Sequence, residues 1–138
     1  MTAEIEHLTT KRAKQLVAQL ALRPLDQRAM DWCIYMSLDM WAGFIDERMA
    51  AIWGLIPPTL LSTQAYLWLW TTDVIKDHQF ILIRHSQLVM EKMLKDYPSI
   101  VGHAVVGNDK AIRWLKWLGA KFGEPCGNAI PFRIRRHG

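Results

Sequence analysis

His103 is the one ionisable side chain in the apolar run Ile100–Val106. An imidazole there can accept a proton from a nucleophile, so His103 is the candidate general base, with Tyr66 behind it. A lone histidine more often serves as a hydrogen-bonded residue in or beside a sheet than as a base. His78 and His85 lie seven residues apart and so share a face if they are helical. No cysteine or carboxylate joins them at i+3 or i+4, which favours two polar boundary residues over a zinc site. Cys33 sits beside Trp32 in an apolar segment, the setting of a buried, unreactive thiol. Cys33 and Cys126 make no CxxC pair, which excludes a disulfide scaffold and suits a reducing compartment.

Positioning such residues takes a strand, a cap and a helix, and the text from Ile100 to Gly119 supplies all three. After the apolar strand-like run, the Asn108 side chain can accept a hydrogen bond from a free N–H of the first turn. Asp109 places negative charge where the helix dipole favours it. Ala111, Trp114, Leu115 and Leu118 recur at the spacing of one buried helix face. Lys110, Arg113 and Lys116 fall on the other side, and Gly119 supplies the left-handed stop.

The rest of the chain reads as one domain over residues 1–138, long enough to bury its own core. Hydrophobic residues at 51% and charged residues at 22% argue against disorder. Ile5–Leu8 is a short edge strand, followed by a helix capped at Thr9 or Thr10 and running to about Leu22 on Ala13, Leu16, Val17 and Leu20. Pro24 separates it from a second helix, about Asp26 to Met40, with Met30, Ile34 and Leu38 on its buried side. Trp41–Ile45 and Ala50–Ile56 flank a hairpin turn at Asp46-Glu47-Arg48. Tyr66–Trp70 is apolar on both faces, as a central strand must be. A long helix from an Asp73 cap to about Lys95 carries Val74, Ile81, Leu82, Leu88, Val89 and Met93 as its apolar stripe, and Tyr97-Pro98 ends it. The last strand, Ile130–Arg136, turns Ile130, Phe132 and Ile134 inward and its arginines outward.

The strand–cap–helix unit resembles that of the Gcn5-related N-acetyltransferase (GNAT) superfamily, Asn-x-x-Ala-Ile-x-x-Tyr-x-x-x-Gly-Phe, in which the helix lies against acetyl-coenzyme A. Asn108, Ala111, Ile112 and Gly119 match it in order and spacing; Leu115 stands at the tyrosine and Ala120 at the phenylalanine. The wider text, with YLWLWTT and RHSQLVMEKMLKDYPSIVG, resembles a narrower group, the small acetyltransferase-like proteins of short-tailed phages. Those are related to an internal virion protein needed for assembly of the phage core.

The resemblance implies an α+β fold, a mixed sheet flanked by helices in the order β-α-α-β-β-β-α-β-α-β-β. It also implies acetyl-coenzyme A as cofactor, with Leu69, Thr71, Lys76, His78, Asn108 and Arg113 as the contacts if it binds. Three parts of the family's chemistry are missing from the text. The glycine-rich pyrophosphate loop corresponds to Val74–Phe80, which has no glycine and carries Asp77, although Lys76 offsets some of that charge. Leu115 cannot donate a proton to the leaving thiolate. The strand Tyr66–Thr72 holds no carboxylate or histidine to act as base, which leaves His103.

The expectation is therefore a phage internal virion or core-assembly protein that has kept the fold, largely lost the chemistry and works by contact with phage or host proteins. An active acetyl-coenzyme A-dependent N-acetyltransferase is the alternative. A third reading, unspecific nucleic-acid binding, rests on the net charge of +4. Lys110, Arg113, Lys116, Lys121, Arg133, Arg135 and Arg136 crowd the last third and would form one positive face if the last helix and strand adjoin. Trp114, Trp68 and Trp70 read as core, while Trp117 falls off the buried stripe and could anchor a partner. The charge-free stretch Met49–Thr72 reads as two buried strands around a loop with Pro57 and Pro58, not a membrane span. The expected location is the host cytoplasm, or the virion interior if the protein is packaged.

Overall fold

The computed structural model describes residues 2–58, 64–75 and 79–135, the side chains of 79 and 80 excepted. Its strands are β1 (Ala3–Leu8), β2 (Asp39–Ile45), β3 (Arg48–Ile56), β4 (Ala65–Thr71), β5 (Ser99–Val105), β6 (Lys121–Phe122) and β7 (Ala129–Arg135). They form one sheet in the order β1-β2-β3-β4-β5-β7-β6. Every neighbouring pair is antiparallel except β4 and β5, which run parallel. The helices are α1 (Thr10–Ala18), α2 (Pro24–Met36), α3 (Gln79–Asp96) and α4 (Asp109–Trp117).

Strand alternation divides the core into two layers. On one face Met40, Ala42, Phe44, Ile52, Ile56 and Trp68 meet Leu16 and Val17 of α1 and Met30 and Ile34 of α2. On the other, Trp53, Leu55, Leu67, Ile100, Phe132 and Ile134 pack with Leu82, Ile83, Met90 and Met93 of α3 and Trp114 and Leu115 of α4. The layer under α1 and α2 stops at β4, so the β5–β7–β6 end of that face has no helix among the residues packed on it.

Local chemistry explains most element ends. Thr9 caps α1, its hydroxyl accepting from the Arg12 N–H at 3.1 Å. That helix stops at Ala18, short of Leu22, because Ala21 takes a left-handed conformation (φ 50°) ahead of Pro24. Pro24 opens α2, since its fixed φ and missing N–H suit a first turn. α2 ends at Met36 instead of Met40. Leu38 already donates its N–H to the Leu55 carbonyl at 2.9 Å, as a sheet residue does, and its side chain is exposed rather than buried. The β2–β3 hairpin turns on Asp46 and Glu47, both left-handed, and Thr2 holds it by donating its backbone N–H to Asp46 Oδ1 at 2.8 Å.

The long-helix stripe differs from the expected one. Asp73 lies in a short 3-10 turn, Asp73–Ile75, whose Val74 N–H is taken by the Thr72 hydroxyl at 3.3 Å. On α3 the buried positions are Leu82, Ile83, Ser86, Met90 and Met93, while Leu88 points into solvent, 72% exposed. The helical period therefore runs through a serine and past a leucine. β3 and β4 confirm the two-strand reading of Met49–Thr72, and part of their connecting loop, 59–63, lies outside the described residues. Among the described residues no helix is long and apolar enough to cross a membrane.

Candidate functional site

β4 and β5 are each seven residues long but share only two register pairs, Ala65↔Ile100 and Tyr66↔Val101. Past that point β4 stays paired with β3, and β5 pairs with β7 along its whole length. The parallel strands are thus joined at one end and part at the other. Gly102 stands where they part. A Cβ there would lie 2.5 Å from the Leu67 carbonyl oxygen and 2.5 Å from the Phe132 ring, so only glycine lets the chain through. Past the junction β4 has a strand partner only on its β3 side, so alternate residues of Leu67–Thr71 turn their backbone groups toward the gap, where they can hydrogen-bond an extended ligand.

Two side chains meet beside this junction on the α1/α2 face, at the border of the part those helices cover. Tyr66 pairs with Val101, and His103 is two residues further along β5, so both project from one face. The Tyr66 Oη lies 3.1 Å from His103 Nδ1, with ring centroids 5.8 Å apart. His103 is exposed and Tyr66 half-buried. Burial pushes the Tyr66 phenol above its usual range, and the nearby Cys33 thiol adds to the rise. Tyr66 therefore keeps its proton at neutral pH. Where Nδ1–H donates to the phenol oxygen, Nε2 is left with a free lone pair; where the phenol donates to Nδ1, the pair holds an available hydroxyl proton. One pair of rings can thus accept or supply a proton.

On the opposite side of the junction the interior is filled. Trp114, 2% exposed, donates its indole N–H to Ser86 Oγ at 3.1 Å, and that hydroxyl donates to the Ile83 carbonyl at 2.9 Å. The Trp114 indole stands edge-on to Trp53, with centroids 5.7 Å apart. What space remains between Leu67, Leu69, Ser86, Trp114 and Leu115 is a cavity of about 20 Å³, room for one water. Leu115 is fully enclosed here and offers no proton donor.

Leu69 and Thr71 lie on β4 past the junction and are half-buried. Asn108 is engaged as the α4 cap, Oδ1 accepting from the Ala111 N–H at 3.3 Å. Arg113 is on the exposed side of α4. Lys76 and His78 lie outside the described residues, as does half of the histidine pair; among the described residues no three His, Cys, Asp or Glu side chains cluster to hold a metal ion. Cys33 is half-buried with its thiol pushed up by that burial, and Cys126 is exposed. The single positive face does not form. Arg133 and Arg135 sit opposite the inward Phe132 and Ile134, whereas α4 packs on the inward side, so its Lys110, Arg113 and Lys116 lie across the sheet from those arginines. Sequence reasoning also missed an exposed pair, His7 Nε2 at 3.0 Å from Asp39 Oδ1, with His7 stacked on Trp41; these residues are far apart in the chain and meet only through the β1–β2 register.

No protein-family model matches this chain, and no curated protein does. Solved structures do. The N-acetyltransferase PseH of Campylobacter jejuni, in complex with acetyl coenzyme A, is 10% identical, with a TM-score of 0.61 over 99% of this chain and 100% of that one. The IAA acetyltransferase from Bacillus cereus is 8% identical, with a TM-score of 0.70 over 98% of this chain and 100% of that one. An acetyltransferase of the GNAT family from Staphylococcus aureus is 10% identical, with a TM-score of 0.70 over 97% of this chain and 99% of that one. At such identities the likeness is one of fold, and the chain has the GNAT fold, a mixed sheet with helices on both faces.

Proposed function

We propose that this chain is an acetyl-coenzyme A-dependent N-acetyltransferase in which Tyr66 and His103 handle protons. The observation that carries this reading is the Tyr66–His103 contact at the point where β4 and β5 part. The structures it resembles include an acetyltransferase with acetyl coenzyme A bound. The unpaired edge Leu67–Thr71 suits an extended, amide-bearing arm, so this part of the site fits the cofactor. When bound, acetyl-coenzyme A supplies an acetyl group already activated as a thioester. His103 Nε2 takes the proton of an acceptor amine while Nδ1–H is held by the Tyr66 oxygen. Burial keeps Tyr66 protonated at neutral pH, so a hydroxyl donor is present on the face of the sheet opposite Leu115.

Thiol release from acetyl-coenzyme A in the presence of an amine panel tests the reading. His103→Gln should lower kcat by about 10²–10⁴-fold, the usual contribution of a positioned base. Unchanged turnover in that variant would remove His103 from the mechanism.

A second reading is favoured by the enclosed Leu115 and by Trp117, which stands 53% exposed on α4. Here the fold serves as a contact module, in the manner of the phage core-assembly proteins whose text this chain resembles, with phage or host proteins as partners. No thiol release with any amine, together with Trp117-dependent capture of a phage core protein, would decide for it.

A further inference from the structure

The helix-free end of the sheet carries a groove of about 610 Å³ next to His103. Val101, Phe122, Pro131 and Phe132 line it as apolar surface, and Lys121, Arg133 and Arg135 supply its charge. Lys121 and Arg133 are direct cross-strand partners between β6 and β7, which places their Cβ atoms about 4.5–5.5 Å apart, and like charges so placed repel. Arg135 joins them on the same face. Among the described residues no carboxylate lines the groove, and the ion pairs that do form lie elsewhere. Three mutually repelling cations in a concavity call for an anion from outside the chain.

We infer that this groove receives the acceptor and selects an amine carried on an acidic polypeptide segment. The inference rests on the N-acetyltransferase reading for the amine, and on the groove alone for the acid. His103 is paired with Pro131, so Arg133 is its diagonal neighbour, about 7–8 Å away between Cα atoms. An extended peptide advances about 3.3 Å per residue. An amine at His103 Nε2 therefore brings a carboxylate two residues further on to Arg133, and the next acidic side chain to Lys121 or Arg135. Nucleic acid fits less well. Phe122 and Phe132 reach the groove but pack on each other, with centroids 5.9 Å apart, and do not form an open row of rings for successive bases. The α4 cations are across the sheet, so no continuous basic track follows a phosphate backbone.

The test uses the whole chain, acetyl-coenzyme A and two peptides with free N-termini, Ala-Glu-Glu-Glu-Ala-Gly and Ala-Gln-Gln-Gln-Ala-Gly. Acetylation is read as thiol release, and binding as anisotropy of each labelled peptide at low and physiological salt. The acidic peptide should be preferred at least tenfold in kcat/KM, mainly through KM. Arg133→Gln and Lys121→Gln should each cut that preference about tenfold, the size of one charge-assisted hydrogen bond. Lys14→Gln, on the far helix α1, should leave it unchanged, and melting curves establish that each variant is folded. Equal acetylation of both peptides, or a preference untouched by both groove substitutions, overturns the inference and leaves the enzyme reading standing. Salt-sensitive binding of the acidic peptide that Arg133→Gln abolishes, with neither peptide acetylated, supports the groove and removes the enzyme reading. Displacement of the acidic peptide by equimolar oligothymidylate assigns the groove to nucleic acid and overturns the inference.

Discussion

At the scale of single residues, the contact between Ser86 and Trp114 is a polar one inside the core, and Ser86 is the one buried polar side chain among the described residues. The indole N–H is buried and Ser86 Oγ is its acceptor. Ser86→Ala strands that donor and should cost about 1–3 kcal/mol, measurable by denaturant melts. Trp114→Phe removes the donor itself, so adding Ser86→Ala to it should cost far less than Ser86→Ala alone. The serine was not legible in the sequence. Apolar periodicity assigns the stripe by side-chain type, and by that measure Leu88 looked internal and Ser86 did not; the indole makes the exchange, because it brings its own polar atom inside. Cys33 and Tyr66 give a second residue-scale expectation. Both are raised in the fold by burial, so above their ordinary values of about 8.5 and 10 the unfolded chain loses protons that the folded one keeps. Stability should hold through neutral pH and fall as pH climbs past about 8.5. Thermal melts of Cys33→Ala and Tyr66→Phe should show a shallower alkaline decline than the parent; an identical decline would place its origin elsewhere.

At the scale of elements, strand, cap and helix around Asn108 were readable because each end is set by local chemistry: an Asn acceptor at one end, a left-handed Gly119 at the other. Asn108→Ala should therefore cost about 1 kcal/mol in melting experiments. Helix ends set by contacts with distant chain were not readable. α2 stops where Leu38 joins Leu55, nearly twenty residues on, and no side-chain pattern announces that. The β4–β5 junction depends on Gly102 in the same non-local way. Gly102→Ala should destabilise the fold by about 1–3 kcal/mol, as overpacking does, and should disturb Tyr66–His103 more than Asn108; chemical-shift changes centred on Val101–His103 would be its signature. Between β4 and α3 the segment Val74–Phe80 lacks the glycines that bring backbone close to a phosphate. Coenzyme A should accordingly bind with a Kd on the order of 100 μM or weaker. Calorimetric titration giving a low-micromolar value would overturn this expectation and make Lys76 and the backbone N–H groups after Val74 the first contacts to check.

At the scale of the whole molecule, element order was legible from periods, apolar runs and turn residues together, although nothing in the text placed the two-residue β6, and the order with the Asn108 unit was enough to indicate the GNAT fold. Placement across the sheet was not. Seven Lys and Arg residues lie between Lys110 and Arg136, yet strand parity sends Arg133 and Arg135 to one side while the Trp114 face of α4 docks on the other. Nearness in sequence says nothing about sidedness in a layered fold. The parted strands have one more consequence, a mechanical one. β1 and β6 are the two rims of the sheet, and β7 lies next to β6. Tension applied between Thr2 and Arg135 would run crosswise through every seam from β1 to β7, and the seam between β4 and β5 is stitched by only two residue pairs. Pulled that way, the sheet should tear along the line where the proposed chemistry sits, leaving a four-strand panel and a three-strand panel as the first fragments of its rupture.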